Sequence, residues 1–250
     1  MKQRILVIAG HVGDFVWRSG GTIAKAAREG HEVHLIVLTL GLRGESNGYW
    51  KRPGSNIEEG RILRRAEGEQ AASLLGVKTV EIMDRVDYPL VIDRPLLYHL
   101  ARRVRELRPD IIITHDGQRD LFNADHTLIG KKVNDLCAIA ASPEVELEGL
   151  SPVKQPAILG FEPHIAELCG FVPRVYVDIS ETFPIKRQAM EFYALTQKGM
   201  FAPYTAKNLL RAAQTGDPKC RYAEAFSVQY PNRELDCIVL RRRDAYADQA

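Results

Sequence analysis

The sequence has few cysteines and no long apolar run. Its four cysteines are widely scattered and form no CxxC pair: Cys137, Cys169, Cys220 and Cys237. Such spacing excludes a structural cysteine-ligated zinc site and gives no disulfide framework. No apolar stretch approaches the roughly 20 residues that are needed to span a bilayer. Because no signal-like segment precedes the first predicted strand, we expect a cytoplasmic protein without a membrane partner.

The sequence also lacks a strong charge of either sign. It has 34 basic and 32 acidic residues among 250, a formal net charge of +2, and no basic block other than Arg241, Arg242 and Arg243. A nucleic-acid-binding surface normally shows as a cluster of basic residues. We therefore expect no nucleic-acid partner.

Two nucleotide-binding motifs are missing as well. No GKS or GKT phosphate-binding loop occurs, and the segment GHVGDF does not supply the GxGxxG order of a dinucleotide-binding turn. The nearby pair Gly20 and Gly21 is better explained by close packing of a helix on its neighbours. The sequence thus favours neither P-loop chemistry nor a nucleotide cofactor.

Hydrophobic periodicity predicts alternating strands and helices. Strands are predicted at residues 5–9, 32–39, 77–83, 111–114, 157–161 and 174–179, and helices at 15–29, 57–75, 95–107, from about 127, and at 184–198. The alternation predicts an α/β fold, a single domain with a Rossmann-like parallel sheet and helices on both faces. We expect a core of about residues 1–200 and a C-terminal extension of about 201–250. Residues from 218 onward give no clear assignment.

Two polar residues follow the first predicted strand, where ligands bind in open α/β sheets. His11 and Asp14 could hold a metal together with His126, whose loop follows the fourth strand and should open on the same sheet edge. Two imidazoles and one carboxylate leave a coordination position open, as in catalytic rather than structural zinc sites. Alternatively, Asp14 caps the helix and the histidines are only solvated.

The order of several motifs resembles a known family. The segments HVGDFVWRSGG, EGHEVHLIVLTLGLRGES, RRAEGEQAASLLG, RPDIIITH, ADHTLIG and VYVDISETFPIKRQAM are similar to those of the PIG-L (LmbE-like) zinc family. This resemblance implies a Rossmann-like fold and a zinc ion, or another divalent metal, held by His11, Asp14 and His126. It also favours a homo-oligomer.

Two departures from the family pattern affect the expected reaction. The deacetylases have AHPDD where this chain has GHVGD, so their general base is replaced by Gly13. They have HPDH where this chain has NADH, so a histidine that assists the transition state is replaced by Asn123. A glycine cannot accept a proton, and the loss of general-base help alone costs on the order of a hundredfold in rate. The resemblance therefore favours a hydratase branch that adds water to a carbon–carbon double bond of a small polycarboxylate.

The remaining candidates lie in loops at strand ends. Glu45 and His164 are the predicted acid–base pair, with their individual roles left open, although a solvated Glu45 and a half-buried structural His164 are the alternatives. The predicted substrate-binding residues, of which the cations could instead be ordinary surface residues, are Arg43, Lys51, Arg119 and Asn123. Two other functions stay open: an N-deacetylase of a sugar-like substrate, with Glu45 or Asp125 as the base, and a non-catalytic binding protein.

Overall fold

The computed structural model describes residues 2–118 and 120–230. The strands are β1 (Arg4–His11), β2 (Glu32–Thr39), β3 (Thr79–Arg85), β4 (Ile111–His115), β5 (Ala157–Phe161), β6 (Val175–Asp178) and β7 (Ala223–Tyr230). The helices are α1 (Asp14–Arg28), α2 (Asn47–Trp50), α3 (Ile57–Leu74), α4 (Arg94–Leu107), α5 (Ala124–Ala141), α6 (Ala166–Cys169), α7 (Phe183–Glu191) and α8 (Phe201–Gln214), with a 3-10 turn at Lys198–Met200.

The seven strands form one sheet in the order β3-β2-β1-β4-β5-β7-β6. The pairs β1–β2, β1–β4, β2–β3 and β4–β5 are parallel, which confirms the predicted α/β class. The predicted Rossmann-like parallel sheet is confirmed for β3, β2, β1, β4 and β5, and the strand β7, which was not predicted, runs antiparallel between β5 and β6. The direction of β7 depends on the position at which α8 ends, and a local hydrophobic pattern does not encode that position.

Helices cover both faces of the sheet, as predicted. Successive side chains of a strand point to opposite faces, so Ile5 and Val7 join one buried cluster while Leu6 and Ile8 join the other. The first cluster contains residues of α1, α3, α7 and α8, and the second contains residues of α4 and α5. The double coverage explains why β1 and β4 read as nearly continuous apolar runs.

The differences from the predicted elements concentrate in the C-terminal part. The helix predicted for 184–198 ends at residue 191, and α8 and β7 were not predicted. Because β7 lies within the sheet, residues 201–230 belong to the same α/β layer structure as the preceding chain. The subdivision at about residue 200 stays a prediction, and residues 231–250 lie outside the described part.

Close packing explains the paired glycines of α1. A Cβ atom at Gly21 would lie 2.6 Å from Cδ1 of Ile179, and one at Gly20 would lie 3.2 Å from Cγ of Lys186. The backbone N–H groups of Gly21 and Thr22 donate to the buried carboxylate of Glu224, which also accepts from Lys186. The predicted packing role of the glycines is confirmed, and α1 is thereby fixed against the sheet beside the site.

Within residues 2–118 and 120–230, no helix is long and apolar enough to cross a membrane.

Candidate active site

The candidate site lies where the strand order reverses. β1 has β2 on one side and β4 on the other, and such a switch point opens a crevice at the carboxyl ends of the strands. His11 is the last residue of β1, and Asp14 is the first of α1. Gly13, not Asp14, occupies the N-cap position, and Asp14 accepts a hydrogen bond from the backbone N–H of His11 at 2.7 Å. The capping explanation of Asp14 was therefore wrong.

The structure brings the three predicted metal ligands together. One ligand atom from each of His11, Asp14, Glu45 and His126 lies within 4.8 Å of the others. Nδ1 of His11 is 3.1 Å from Nε2 of His126, 3.2 Å from Oδ2 of Asp14 and 3.4 Å from Oε1 of Glu45. Glu45, which the sequence placed only in a nearby loop, lies beside these three ligands. We call His11, Asp14 and His126 the metal-ligand group.

The electrostatics of the metal-ligand group fit a cation. Burial by itself would lower the pKa of His11, but the carboxylates of Glu45, Asp125 and Asp14 outweigh it and raise the pKa to about 10. A cluster that holds a proton this strongly has an excess of negative charge in a buried place. Because a divalent metal needs deprotonated imidazole and carboxylate donors, it would replace this proton.

Two aspartates lie beside the imidazoles of the group. Asp120 Oδ2 lies 2.9 Å from Nδ1 of His126, and Asp125 Oδ2 lies 3.5 Å from Nε2 of His11. Burial would raise the pKa of each carboxyl group, but the neighbouring histidine and hydrogen bonds from backbone N–H groups lower both to about 2. With one ring nitrogen directed at a carboxylate, each histidine presents the other nitrogen to the group. Sequence reasoning missed the role of Asp120, although the polar loop that contains it was noted.

His115 packs against the metal-ligand group, and sequence reasoning did not identify it. Its ring stacks on that of His126, with centroids 4.0 Å apart, and its Nε2 accepts a hydrogen bond from the backbone N–H of Gly10. Complete burial, together with nearby His126, lowers the pKa of His115 to about 3, so the ring is neutral. A polar residue at the end of a buried strand was the signal that could have revealed it.

Arg18 is a buried cation that sequence reasoning also missed. Its Nη1 donates to the carbonyl oxygen of Glu162 at 2.6 Å, its Nε donates to Oδ1 of Asp14 at 3.3 Å, and its Nη2 is 3.4 Å from Nδ1 of His126. It lies one helical turn after Asp14, on the same face of α1. The spacing of four residues between Asp14 and Arg18 was the sequence signal that could have revealed Arg18.

Glu45 is held by two amide groups. Its Oε1 accepts from Nδ2 of Asn123, and its Oε2 accepts from Nε2 of Gln197, each at 3.1 Å. Asn123 is also the N-cap of α5, where its Oδ1 accepts from the backbone N–H groups of Asp125 and His126. The proposed substrate-binding role of Asn123 is untested, and the structure gives it these two tasks.

The loop that contains Glu45 has the GxSxG spacing of a hydrolase nucleophile, in GESNG at residues 44–48. Ser46 is fully buried, however, and its hydroxyl donates to the carbonyl oxygen of Gly41 at 2.7 Å. Since this bond gives the hydroxyl a structural task and no basic side chain among residues 2–118 and 120–230 accepts its proton, the geometry does not support a serine nucleophile.

The loop of residues 87–90 closes one side of the site. Asp87 Oδ2 accepts from the backbone N–H groups of Arg43 and Gly44, so it braces the loop that contains Glu45. The Tyr88 ring lies 5.7 Å from the His11 ring, and the backbone N–H of Tyr88 donates to Asp125. Tyr88 has a φ of 49°, an unusual value for a residue with a side chain, and such conformations cluster at functional sites.

Fewer contacts define the positions of the other predicted site residues. His164 follows β5 and is half-buried, with its ring 5.9 Å from that of Tyr204. Burial, followed by the cations Arg18 and Lys207, lowers its pKa, so it is neutral near pH 7. Arg43 and Lys51 are exposed, and no hydrogen bond to another described residue places either side chain at the site. Arg119 lies outside the described residues.

The comparisons with known proteins agree with this geometry. Residues 6–137, more than half of the chain, match the PIG-L family, described as GlcNAc-PI de-N-acetylase. The chain belongs to the PIG-L family. The predicted resemblance is thus confirmed, and the three positions that it implied for the metal lie together beside Glu45.

Relatives within the PIG-L family include both hydratases and deacetylases. The 4-oxalmesaconate hydratase of Pseudomonas putida is 32% identical over 241 residues, covering 92% of this chain and 90% of the relative. The crystal structure of GalB, the 4-carboxy-2-hydroxymuconate hydratase from Pseudomonas putida KT2440, matches with a TM-score of 0.87 over 93% of this chain and 98% of that one. The diacetylchitobiose deacetylase of Thermococcus kodakarensis is 28% identical over 194 residues, 75% of this chain and 68% of the relative. The comparisons favour the predicted hydratase over the deacetylase.

Proposed function

We propose that this protein is a metal-dependent hydratase. It adds water to a carbon–carbon double bond of 4-oxalomesaconate (4-carboxy-2-hydroxymuconate) and gives 4-carboxy-4-hydroxy-2-oxoadipate in the degradation of protocatechuate or gallate. The observation that carries the proposal is Gly13, at the position where the family resemblance implies an acidic base in the deacetylases, together with Glu45, whose carboxylate comes from another loop and is held against the metal-ligand group. The similarity to the hydratase relatives over nine-tenths of the chain supports the same assignment.

The proposed metal is Zn²⁺, held by His11, Asp14 and His126. Two imidazoles and a carboxylate are a usual ligand set of catalytic zinc, and the fourth position stays open for substrate or water. When bound, the ion acts as a Lewis acid that stabilises negative charge on a substrate oxygen. Another divalent metal fits the same donors.

Glu45 is the proposed general base. Its carboxylate adjoins the metal-ligand group, and two N–H donors fix both of its oxygens, so it has a defined position from which to accept a proton from water. Hydrogen bonds of this kind pre-organise a catalytic group before the reaction begins. The substrate carbon that receives water would have to lie beside this carboxylate.

His164 is the proposed proton relay. Since its pKa is lowered, it is neutral at pH 7 and must first accept a proton before it can give one to the substrate carbon. The cations Arg43, Lys51 and Arg119 are proposed to bind the carboxylates of the substrate, because guanidinium and ammonium groups pair with carboxylates. A cytoplasmic location, a homo-oligomeric state and the absence of nucleic-acid and membrane partners stay predictions.

The decisive experiment is an absorbance assay with the purified protein loaded with Zn²⁺. We expect the ultraviolet absorbance of 4-carboxy-2-hydroxymuconate to fall as the conjugated system is hydrated, and we expect prior removal of the metal by a chelator to abolish the change. Acetate release from N-acetylglucosamine derivatives serves as the comparison. Acetate release without an absorbance change would show that the protein is a deacetylase and not a hydratase.

A further inference from the structure

The side-chain amide of Gln197 connects Glu45 to the interior of the protein. Its Nε2 donates to Oε2 of Glu45 at 3.1 Å, while its Oε1 accepts from Nε1 of Trp17 at 3.1 Å and from Nη1 of Arg64 at 3.4 Å. Gln197 is itself buried, with 7% of its surface exposed. Neither the predicted base nor the predicted ligands included this residue.

The chemistry of its neighbours fixes the orientation of this amide. An indole nitrogen and a guanidinium group can only donate hydrogen bonds, so the Gln197 oxygen must face Trp17 and Arg64. The NH₂ group must then face Glu45. Because Trp17 and Arg64 cannot accept hydrogen bonds, they fix which end of the Gln197 amide donates to Glu45.

The backbone around Gln197 is held against both loops of the site. The hydroxyl of Tyr193 donates to the carbonyl oxygen of Val12 at 2.7 Å, and the carbonyl oxygen of Thr196 accepts from the backbone N–H of Gly48 at 3.0 Å. The backbone N–H of Gln197 donates to the carbonyl oxygen of Tyr193. These contacts connect the segment to the loop after β1 and to the end of the loop that contains Glu45.

The same amide occupies the space beside Gly13. A Cβ atom at residue 13 would lie closer to Oε1 of Gln197 than real Cβ atoms approach any neighbour, and it would lie 2.7 Å from Nε1 of Trp17. Any side chain at position 13 must therefore displace the hydrogen-bonded pair of Trp17 and Gln197. Gly13 has an α-helical φ of −90°, so backbone conformation does not explain the glycine.

We propose that Gln197 is the positioning residue for Glu45, and that position 13 is glycine because Gln197 and Trp17 fill the space of its side chain. An aspartate at position 13 and the contact between Gln197 and Glu45 then exclude each other. The packing of Gln197 and Trp17 beside residue 13 therefore decides whether the general base is at position 13 or at position 45. The inference rests on the proposed hydratase function, in which Glu45 takes the proton from water.

The test uses the full-length, metal-loaded protein and two variants. Gln197→Glu keeps an oxygen for Trp17 and Arg64 but places an acceptor where Glu45 needs a donor. Gly13→Ala adds only the Cβ atom. Gln214→Glu is the matched control, because Gln214 also accepts from an arginine, Arg211, but is exposed on α8.

We expect kcat for hydration to fall about tenfold to a hundredfold in Gln197→Glu and in Gly13→Ala, since a displacement of about 1 Å in a catalytic group has this effect. KM should stay within about threefold, and the metal content should be unchanged. Gln214→Glu should match the wild type. Wild-type kcat in both site variants would overturn the positioning role.

A crystal structure of Gly13→Ala separates this inference from the proposed function. We expect the Gln197 amide to move and its hydrogen bond to Glu45 to break, whether or not the wild type hydrates the chosen substrate. Unchanged positions of both side chains would refute the inference. An inactive wild type would instead count against the hydratase function alone.

Discussion

Nδ1 of His11 faces Nε2 of His126 at 3.1 Å, although 115 residues separate them in the chain. The contact crosses the switch point of the sheet, with His11 at the end of β1 and His126 in the first turn of α5. Two imidazole nitrogens this close need a shared proton or a cation between them. The pair therefore gives the most direct test of metal binding.

We predict that His11→Ala or His126→Ala removes the bound metal while the protein stays folded. Each change deletes one of three predicted ligands, and the sheet around the site is held by the two apolar clusters. His99→Ala is the control, because His99 pairs with Glu81 away from the site. Elemental analysis and circular dichroism provide the measurements. Full metal occupancy in both site variants would refute the assignment.

Substitution of Glu45 distinguishes a base from a fourth ligand. We predict that Glu45→Gln lowers kcat by about a hundredfold or more, because the amide cannot accept the proton from water. The metal content should stay at the wild-type value, since His11, Asp14 and His126 remain. Loss of the metal in Glu45→Gln would instead make Glu45 a ligand, which its distance of 3.4 Å from His11 Nδ1 allows.

The lowered pKa of His164 predicts a pH dependence. Because this residue must be neutral to accept a proton, kcat/KM should be constant from pH 8 to below the ordinary histidine value of 6.5 and should fall only at lower pH. Lys207 is one of the cations that lower this pKa, so Lys207→Met should move the fall toward higher pH. His164→Gln should remove the fall together with most of the activity. An acid limb unchanged in Lys207→Met would contradict this account.

A buried ion pair outside the metal-ligand group tests the packing of α1. The Lys186 ammonium is fully buried and donates to Glu224, Asn208 and the carbonyl oxygen of Trp17. Lys186→Met leaves the carboxylate of Glu224 without its cation, which should lower the free energy of unfolding by about 3–5 kcal/mol. The double variant Lys186→Met, Glu224→Gln should recover part of this loss. Urea unfolding measures both, and equal stabilities of the single variant and the wild type would disprove the role of the pair.

Much of the fold could be predicted because strands and helices leave local patterns. The strands at residues 32–39 and 157–161 agree with the prediction to the residue. Helix α5 begins three residues before the predicted start, because the Asn123 side chain caps its first turn. The antiparallel strand β7 was not predictable in the same way, since its place depends on contacts with β5 and β6.

The candidate site was predictable only where residue type and strand end coincided. His11 ends β1, and Asp14 and His126 lie in segments that follow β1 and β4, which are neighbours in the sheet, so their meeting follows from the α/β pattern. Arg18 lies inside a helix, where polar residues are usually read as structural, and His115, the last residue of β4, was read only as the start of a polar loop. The role of Gln197 depends on a segment that returns to the site from the other end of the chain.

The sequence by itself determined the ligand types, the strand ends that present them and the absence of an acidic residue at position 13. These features are local, and each follows from residue chemistry and backbone periodicity. Only the tertiary structure decided what replaces that residue: Gln197 enters the space beside Gly13 and holds Glu45 at the metal-ligand group. Space filling joins residues that are 184 positions apart, and packing between such distant segments exists only in the folded chain.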